Sequence, residues 1–117
     1  MSNHNKINYV EFPAKKMAET KLFFSKAFGW KFQDYGQEYC AFFGSGLDGG
    51  FFKSNLSAST DNGSVLVVIY SDSLEKTQSD VESAGGKIIK DIFEFPGGKR
   101  FHFKEPSGNE FAVWGDE

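Results

Sequence analysis

Two periods of hydrophobicity alternate along this chain, and they do so twice. "INYVEFP" (7–13) crowds apolar and β-forming residues together and stops at Pro13, which predicts a strand. In "KKMAETKLFFSKAFGW", Met17, Thr20 or Lys21, Phe24 and Ala27 or Phe28 recur at helical spacing, and Gly29 follows as a C-terminal stop. "KFQDYG", "EYCAFFG" and "GGFFK" then predict three short strands separated by Gly-containing turns. The stretch "SNLSASTDNGS" (54–64) is polar and rich in Ser, Asn and Gly, so it reads as a linker.

After the linker the order returns. "VLVVIY" (65–70) is an apolar run suited to a strand buried on both faces. "SDSLEKTQSDVESAGG" predicts a helix with Asp72 and Glu75 as a capping box, a stripe of Leu74, Thr77 or Gln78, Val81 and Ala84, and a stop at Gly85-Gly86. "KIIKDIFEF", "KRFHFK" and "EFAVW" predict three more strands, with "EPSG" between the last two as a type I turn. The halves align without a gap when 57 is subtracted, so that Leu74 falls on Met17, Val81 on Phe24 and Gly86 on Gly29. A shared order of strand, helix and three strands in both halves predicts internal symmetry. Each unit is a small sheet with a helix on one face; neither covers its other face alone, so the two pack together and leave a concavity for a ligand.

Composition narrows the class. A chain of 117 residues fits one domain (1–117), with a first module at about 7–53, the linker 54–64 and a second module at about 65–115. The net charge of −3 and the scattered lysines argue against nucleic acid, which needs a basic face. The longest apolar run, Val65 to Tyr70, is too short to span a bilayer, and "MSNHNK" lacks the apolar segment of a signal peptide. Cys40 is the single cysteine, which leaves no disulfide framework, and a soluble cytoplasmic protein is expected. The unusual feature is 14 Phe: rings for a core, with some available to line an apolar cavity.

The paired βαβββ order, the helix exit "FFSKAFGWKF", the second helix "SDSLEKTQSDVESAGGKI" and the closing "FHFKEPSGNEFAVW" together resemble the vicinal oxygen chelate superfamily. That group includes glyoxalase I, bleomycin-resistance proteins, fosfomycin-resistance enzymes and extradiol dioxygenases. The resemblance covers residues 7–115, with Glu105 in place of the usual Asp of the closing "DP-x-GN" turn. It implies an α+β fold in which two tandem βαβββ modules form a curved mixed sheet around a central cleft, with the helices outside. It also implies a divalent metal held by His, Glu or Gln from strands of both halves. The matching positions here are Tyr9, Leu66 and Ala112, and the fourth lies near "DGGFFK", where the register stays open. Leucine and alanine offer no donor to a cation, so the inherited metal site looks dismantled.

Other polar residues could serve a ligand. Glu110, Ala112 and Trp114 share a strand face, as do Tyr9 and Glu11. Glu110 is expected at the wet rim of the cleft, bonding a ligand or a backbone group. His102, flanked by Arg100 and Lys104, reads as a surface strand residue; if it faces the cleft, it is with Glu110 the candidate acid or base. Arg100 in "FPGGKR" could clamp a carboxylate or phosphate. The same stretch is no phosphate loop, because Phe93 stands where the first Gly would be and Arg100 where Ser or Thr would follow Lys99. Trp30, Tyr35 and Tyr39 could stack on a planar ligand, while His4 lies in the N-terminal stretch and is set aside.

Two functional classes follow. The first is a binding module without catalysis and without a cofactor, holding a small, partly aromatic molecule against Tyr9, Glu11, Arg100, Glu110 and Trp114. The alternative is a lyase, isomerase or dioxygenase whose divalent metal sits on relocated ligands from Glu11, His102 and Glu110. In either case a homodimer is expected, because members of the resembled group commonly pair.

Overall fold

A computed structural model describes residues 3–116. The first module runs β1 (Val10–Ala14), α1 (Met17–Phe28), β2 (Lys31–Asp34), β3 (Tyr39–Phe43) and β4 (Gly49–Lys53). The second runs β5 (Val67–Tyr70), α2 (Leu74–Ser83), β6 (Lys87–Phe95), β7 (Gly98–Lys104) and β8 (Glu110–Gly115). Each module carries its own four-stranded sheet, ordered β1-β4-β3-β2 and β5-β8-β7-β6. In both, the first strand runs parallel to the last and the remaining pairs are antiparallel. The internal symmetry expected from the sequence is therefore real in topology. No helix among the described residues is long and apolar enough to cross a membrane.

Period and punctuation explain the elements. Gly29 ends α1 at φ 73°, a left-handed conformation that glycine adopts without a Cβ clash; its N–H returns to Ser25 C=O and that of Trp30 to Phe24 C=O. The "EPSG" turn closes through a bond from Gly108 N–H to Glu105 C=O at 2.7 Å. The expected capping box of α2 does not form: the N-cap is Ser73, and no side chain caps it. Ser71 Oγ instead accepts from Ser73 N–H and bonds Thr77 Oγ1.

The strand at 65–70 is not buried on both faces, contrary to the sequence expectation. β5 is an edge strand of its sheet, and Val65, Val68 and Tyr70 are 82%, 43% and 52% exposed. Only Val67 and Ile69 turn inward, against the core.

Alternation divides each sheet into an inner and an outer face. The inner faces present Phe12, Cys40, Phe42 and Phe51 from the first sheet, and Phe101, Phe103, Phe111 and Val113 from the second. α1 joins them: Phe24 stacks on Trp30 with centroids 4.4 Å apart, lies 5.7 Å from Phe51 and meets Phe111 edge-on at 5.1 Å. Phe12 reaches Phe111 directly at 4.8 Å. One aromatic core thus serves both modules, and it takes up most of the phenylalanine content.

Polar bonds reinforce the same join at the turn before β8. Glu105 is buried, and it accepts from Thr20 Oγ1 of α1 (2.6 Å), Ser107 N–H (2.7 Å) and Asn109 Nδ2 (2.6 Å). Since Thr20 donates to Glu105, Ser107 Oγ donates to Thr20 and accepts from Lys16 N–H at the head of α1. A carboxylate there also suits the positive end of the helix. Burial still pushes the Glu105 carboxyl above its usual range, against these bonds. Asn109 donates to Pro13 C=O and accepts from Ala58 N–H of the linker.

Glu110, expected at a wet rim, is buried. One oxygen accepts from Thr60 N–H (2.8 Å), Thr60 Oγ1 (2.9 Å) and Ser59 Oγ (3.3 Å) in a 3-10 turn of the linker. The other lies 2.8 Å from His102 Nδ1. Burial raises its pKa, but the bonds from His102 and Thr60 outweigh that and hold it at about 2. His102, expected on the surface, is only 2% exposed, because this pairing and the ring of Phe93 enclose it.

Two predictions follow for stability. Phe24→Ala should cost about 3–5 kcal/mol, the usual penalty for an aromatic cavity in a core, read by chemical denaturation. Glu110→Ala should cost about 3 kcal/mol at pH 7, because it strands the donors of Ser59, Thr60 and His102. The carboxyl is depressed from 4.5 to about 2, so its contribution is complete above the higher value and fades as pH falls towards the lower. The stability gap between wild type and Glu110→Ala should therefore narrow over that acid window. Glu105, displaced upward, has the opposite slope, but it is common to both proteins and cancels in the difference.

Candidate functional site

β1 and β5 are the free edges of their sheets, and between them opens a cleft of about 580 Å³. That volume suits a drug-sized ligand, for which sites run to roughly 300–1,000 Å³. Its floor is aromatic, from Phe12, Trp30, Phe42 and Phe111. Its walls are Val67, Ile69 and Tyr70 on one side and Tyr9 and Val10 on the other, with Ile7 and Val65 also lining it. Several of the 14 Phe therefore do both jobs: they fill the core and line the cleft.

Polar chemistry enters the cleft through Tyr9. Its hydroxyl lies 2.6 Å from Tyr39 Oη, and Tyr39 donates to Glu11 Oε2 at 2.8 Å. A phenol has one proton to give, so with Tyr39 committed to Glu11, Tyr9 is the donor to Tyr39. The Tyr9 oxygen is then free to accept from a ligand N–H or O–H. Burial, the bonds with Tyr9 and Glu11 and the Glu11 charge all raise the Tyr39 pKa, so this phenol stays protonated. Gly50 makes the arrangement possible, since a Cβ there would collide with the Tyr39 hydroxyl.

The outer face of the second sheet holds the other candidates. Strand pairing sets Tyr70, Trp114, Arg100 and Phe93 in one row, and Val68, Ala112, His102 and Lys90 in the next. Trp114 meets Tyr70 and Phe95 edge-on, at 5.1 and 6.2 Å. A groove of about 310 Å³ runs over Val68, Phe95, Gly97, Arg100 and Trp114. Val68 lines both cavities, so the groove adjoins the cleft.

The candidates thus fall into two groups. Tyr9 and Glu11 come together on the first sheet through Tyr39, whereas His102 and Glu110 bond each other on the second, with Arg100 and Trp114 beside them. Sequence reasoning missed Phe93 and Phe95. An irregularity in β6 between Lys90 and Phe93 shifts their parity and brings them onto the face of Arg100; nothing in "KIIKDIFEF" marks it. Trp30 serves the cleft floor, while Tyr35 is exposed and outside the cleft.

The pairing also settles the register left open near "DGGFFK". Ala112 sits opposite Val68, and Gly50 opposite Glu11, the residue 57 earlier than Val68. The four positions corresponding to the expected metal ligands are therefore Tyr9, Gly50, Leu66 and Ala112. Three of them carry no donor atom in the side chain, so this set does not fit a divalent metal. Among the described residues, no three His, Cys, Asp or Glu side chains come together in a way that could hold one.

Comparison with solved structures agrees with this architecture. A glyoxalase-related enzyme from Fulvimarina pelagi superposes with a TM-score of 0.79 at 12% identity, over 95% of this chain and 88% of that one. A glyoxalase/bleomycin resistance protein/dioxygenase family enzyme from Burkholderia phytofirmans PsJN gives 0.77 at 14% identity, over 94% and 98%. TnmS3, an antibiotic binding protein from Streptomyces sp. CB03234, gives 0.71 at 14% identity, over 100% of both chains. At such identities these likenesses speak for the fold alone. No curated protein matches the sequence. The model of the Glyoxalase/Bleomycin resistance protein/Dioxygenase superfamily matches residues 6–113, and the chain belongs to that superfamily.

Proposed function

We propose that this protein is a binding module that works without a divalent metal and holds a small, partly aromatic organic molecule in the cleft between β1 and β5. The observation that carries the reading is the cleft itself: about 580 Å³, floored by Phe12, Trp30, Phe42 and Phe111, at the junction of the two modules. Apolar walls with few polar groups are what small-molecule sites present, and Tyr9 supplies an acceptor to orient the guest. The similarity to TnmS3, named for binding an antibiotic, is in keeping with sequestration rather than turnover.

A metal-dependent lyase, isomerase or dioxygenase would need Glu11, His102 and Glu110 to converge. Tyr39 holds Glu11 on the first sheet, while His102 and Glu110 are tied to each other on the second. The binding reading is therefore preferred. It extends to a cytoplasmic homodimer, in which a second copy covers the outer face of the first sheet where Phe43 and Phe52 stand exposed.

Tag-free protein incubated with nickel, cobalt, zinc, manganese and ferrous iron, then desalted, should retain far less than one metal per chain. Retention near one would overturn the metal-free reading. Titration with 2-naphthol, followed by tryptophan fluorescence, should saturate with one probe per chain. Val65→Glu, at an 82% exposed position on the cleft, should weaken that binding at least about tenfold without unfolding the protein. Light scattering on the eluting protein should give twice the chain mass.

A further inference from the structure

Among the described residues, two buried side-chain nitrogens lack a hydrogen-bond partner: Arg100 Nε and His102 Nε2. They are not scattered. Both residues lie on the outer face of β7, one strand repeat apart, or about 7 Å between Cα atoms. Both lie against the same ring, since His102 stacks on Phe93 at 5.8 Å and the Arg100 guanidinium sits 5.5 Å from its centroid. A buried donor or acceptor without a partner costs about 1–3 kcal/mol, so such atoms ask for an explanation. Two of them side by side ask for a shared one.

Ala112 is directly opposite His102, and Trp114 opposite Arg100. Ala112 occupies a position where the superfamily resemblance leads one to expect a His, Glu or Gln ligand for a cation. Here the polarity is reversed. The carboxylates on this face are already engaged, Glu110 by Ser59, Thr60 and His102, and Asp116 by Tyr70 Oη at 3.0 Å. Arg100 has no carboxylate partner among the described residues. Its guanidinium is held instead over Phe93 and Phe95, at 5.5 and 5.7 Å, and it lines the open groove with Trp114. Lys90 lies opposite His102 and adds positive charge. An arginine oriented by two rings, with no carboxylate bound to it, is prepared for an oxyanion.

We propose that the outer face of the second sheet around Ala112 is an anion site, in which Arg100 and His102 receive the carboxylate or phosphate of the aromatic molecule. Because His102 gives its Nδ1 proton to Glu110, Nε2 donates to the anion when the ring carries its second proton. The groove adjoins the cleft at Val68, so the anionic end lies at Arg100 and the aromatic body extends from it past Trp114 on β8 towards the cleft at β5. This assignment of ligand class rests on the binding reading above.

Two probes of one shape separate the proposal from that reading: 1-naphthoate and its neutral counterpart 1-naphthalenemethanol, each titrated by tryptophan fluorescence. Naphthoate should bind at least about tenfold more tightly. Arg100→Met keeps the stem over Phe93 and Phe95 but removes the charge; it should bring naphthoate down to the level of the alcohol and leave the alcohol unchanged. Equal binding of the two probes by wild type would overturn the anion site while sparing the cleft. So would a preference that survives Arg100→Met. Inorganic phosphate gives a readout that needs no aromatic body: the Arg100 Nε–H resonance should shift saturably as phosphate is added. A resonance that does not move would mean that water alone satisfies these nitrogens, and would overturn the proposal whatever the naphthyl probes do.

Discussion

The structure turns on the short buried segment that precedes and opens β8. Glu105 fixes it to Thr20 in the first helix, Asn109 to Pro13 in the first strand and Ala58 in the linker, and Glu110 to Thr60 and His102. Two carboxylates are taken out of water here, which is tolerable only because each accepts several donors. The bonds span from the first module to the last strand, so they fix the relative position of the sheets more specifically than packing could. Apolar contact is tolerant of small slips, whereas a carboxylate that must meet three donors is not. The edges of β1 and β5 are therefore held a set distance apart, and the cleft between them is a consequence.

The aromatic core supplies the driving force that this polar seam directs. Phe24 touches rings from both sheets, and Phe12 bridges to Phe111, so neither module can bury its own face without the other. Close packing of large rings leaves gaps where strands end, and the cleft opens into that cluster. Its floor is made of core residues, which gives a ligand rigid walls at little entropic cost.

Much of this fold was legible because its signals are local. Helical spacing from Met17 to Phe28, Gly29 at a left-handed φ and the "EPSG" turn each depend on a few neighbouring residues. The repeat by 57 made the module pairing legible as well. The burial states were not. "VLVVIY" has the composition of a central strand, yet β5 lies at an edge, because sheet order is a long-range property. His102 looks like a surface residue among cations, yet Glu110, eight residues on and across a hairpin, takes it inside. The shift in β6 that turns Phe93 and Phe95 towards Arg100 leaves no trace in the residue pattern.

The same contrast explains why the site departs from what the superfamily resemblance implies while the fold does not. Fold is carried by the inner faces and the seam around Glu105 and Asn109, and those are intact. The resemblance places metal ligands at four other positions, Tyr9, Gly50, Leu66 and Ala112, which lie outside that seam. With glycine, leucine and alanine at three of these positions, the neighbouring groups set the local potential. On the first sheet that group is Glu11, whose carboxylate accepts from Tyr39. On the second it is Arg100, with Glu110 already engaged by four donors. On the binding reading proposed above, specificity therefore resides in Glu11 and Arg100 on the outer faces, and the core beneath them supplies the shape.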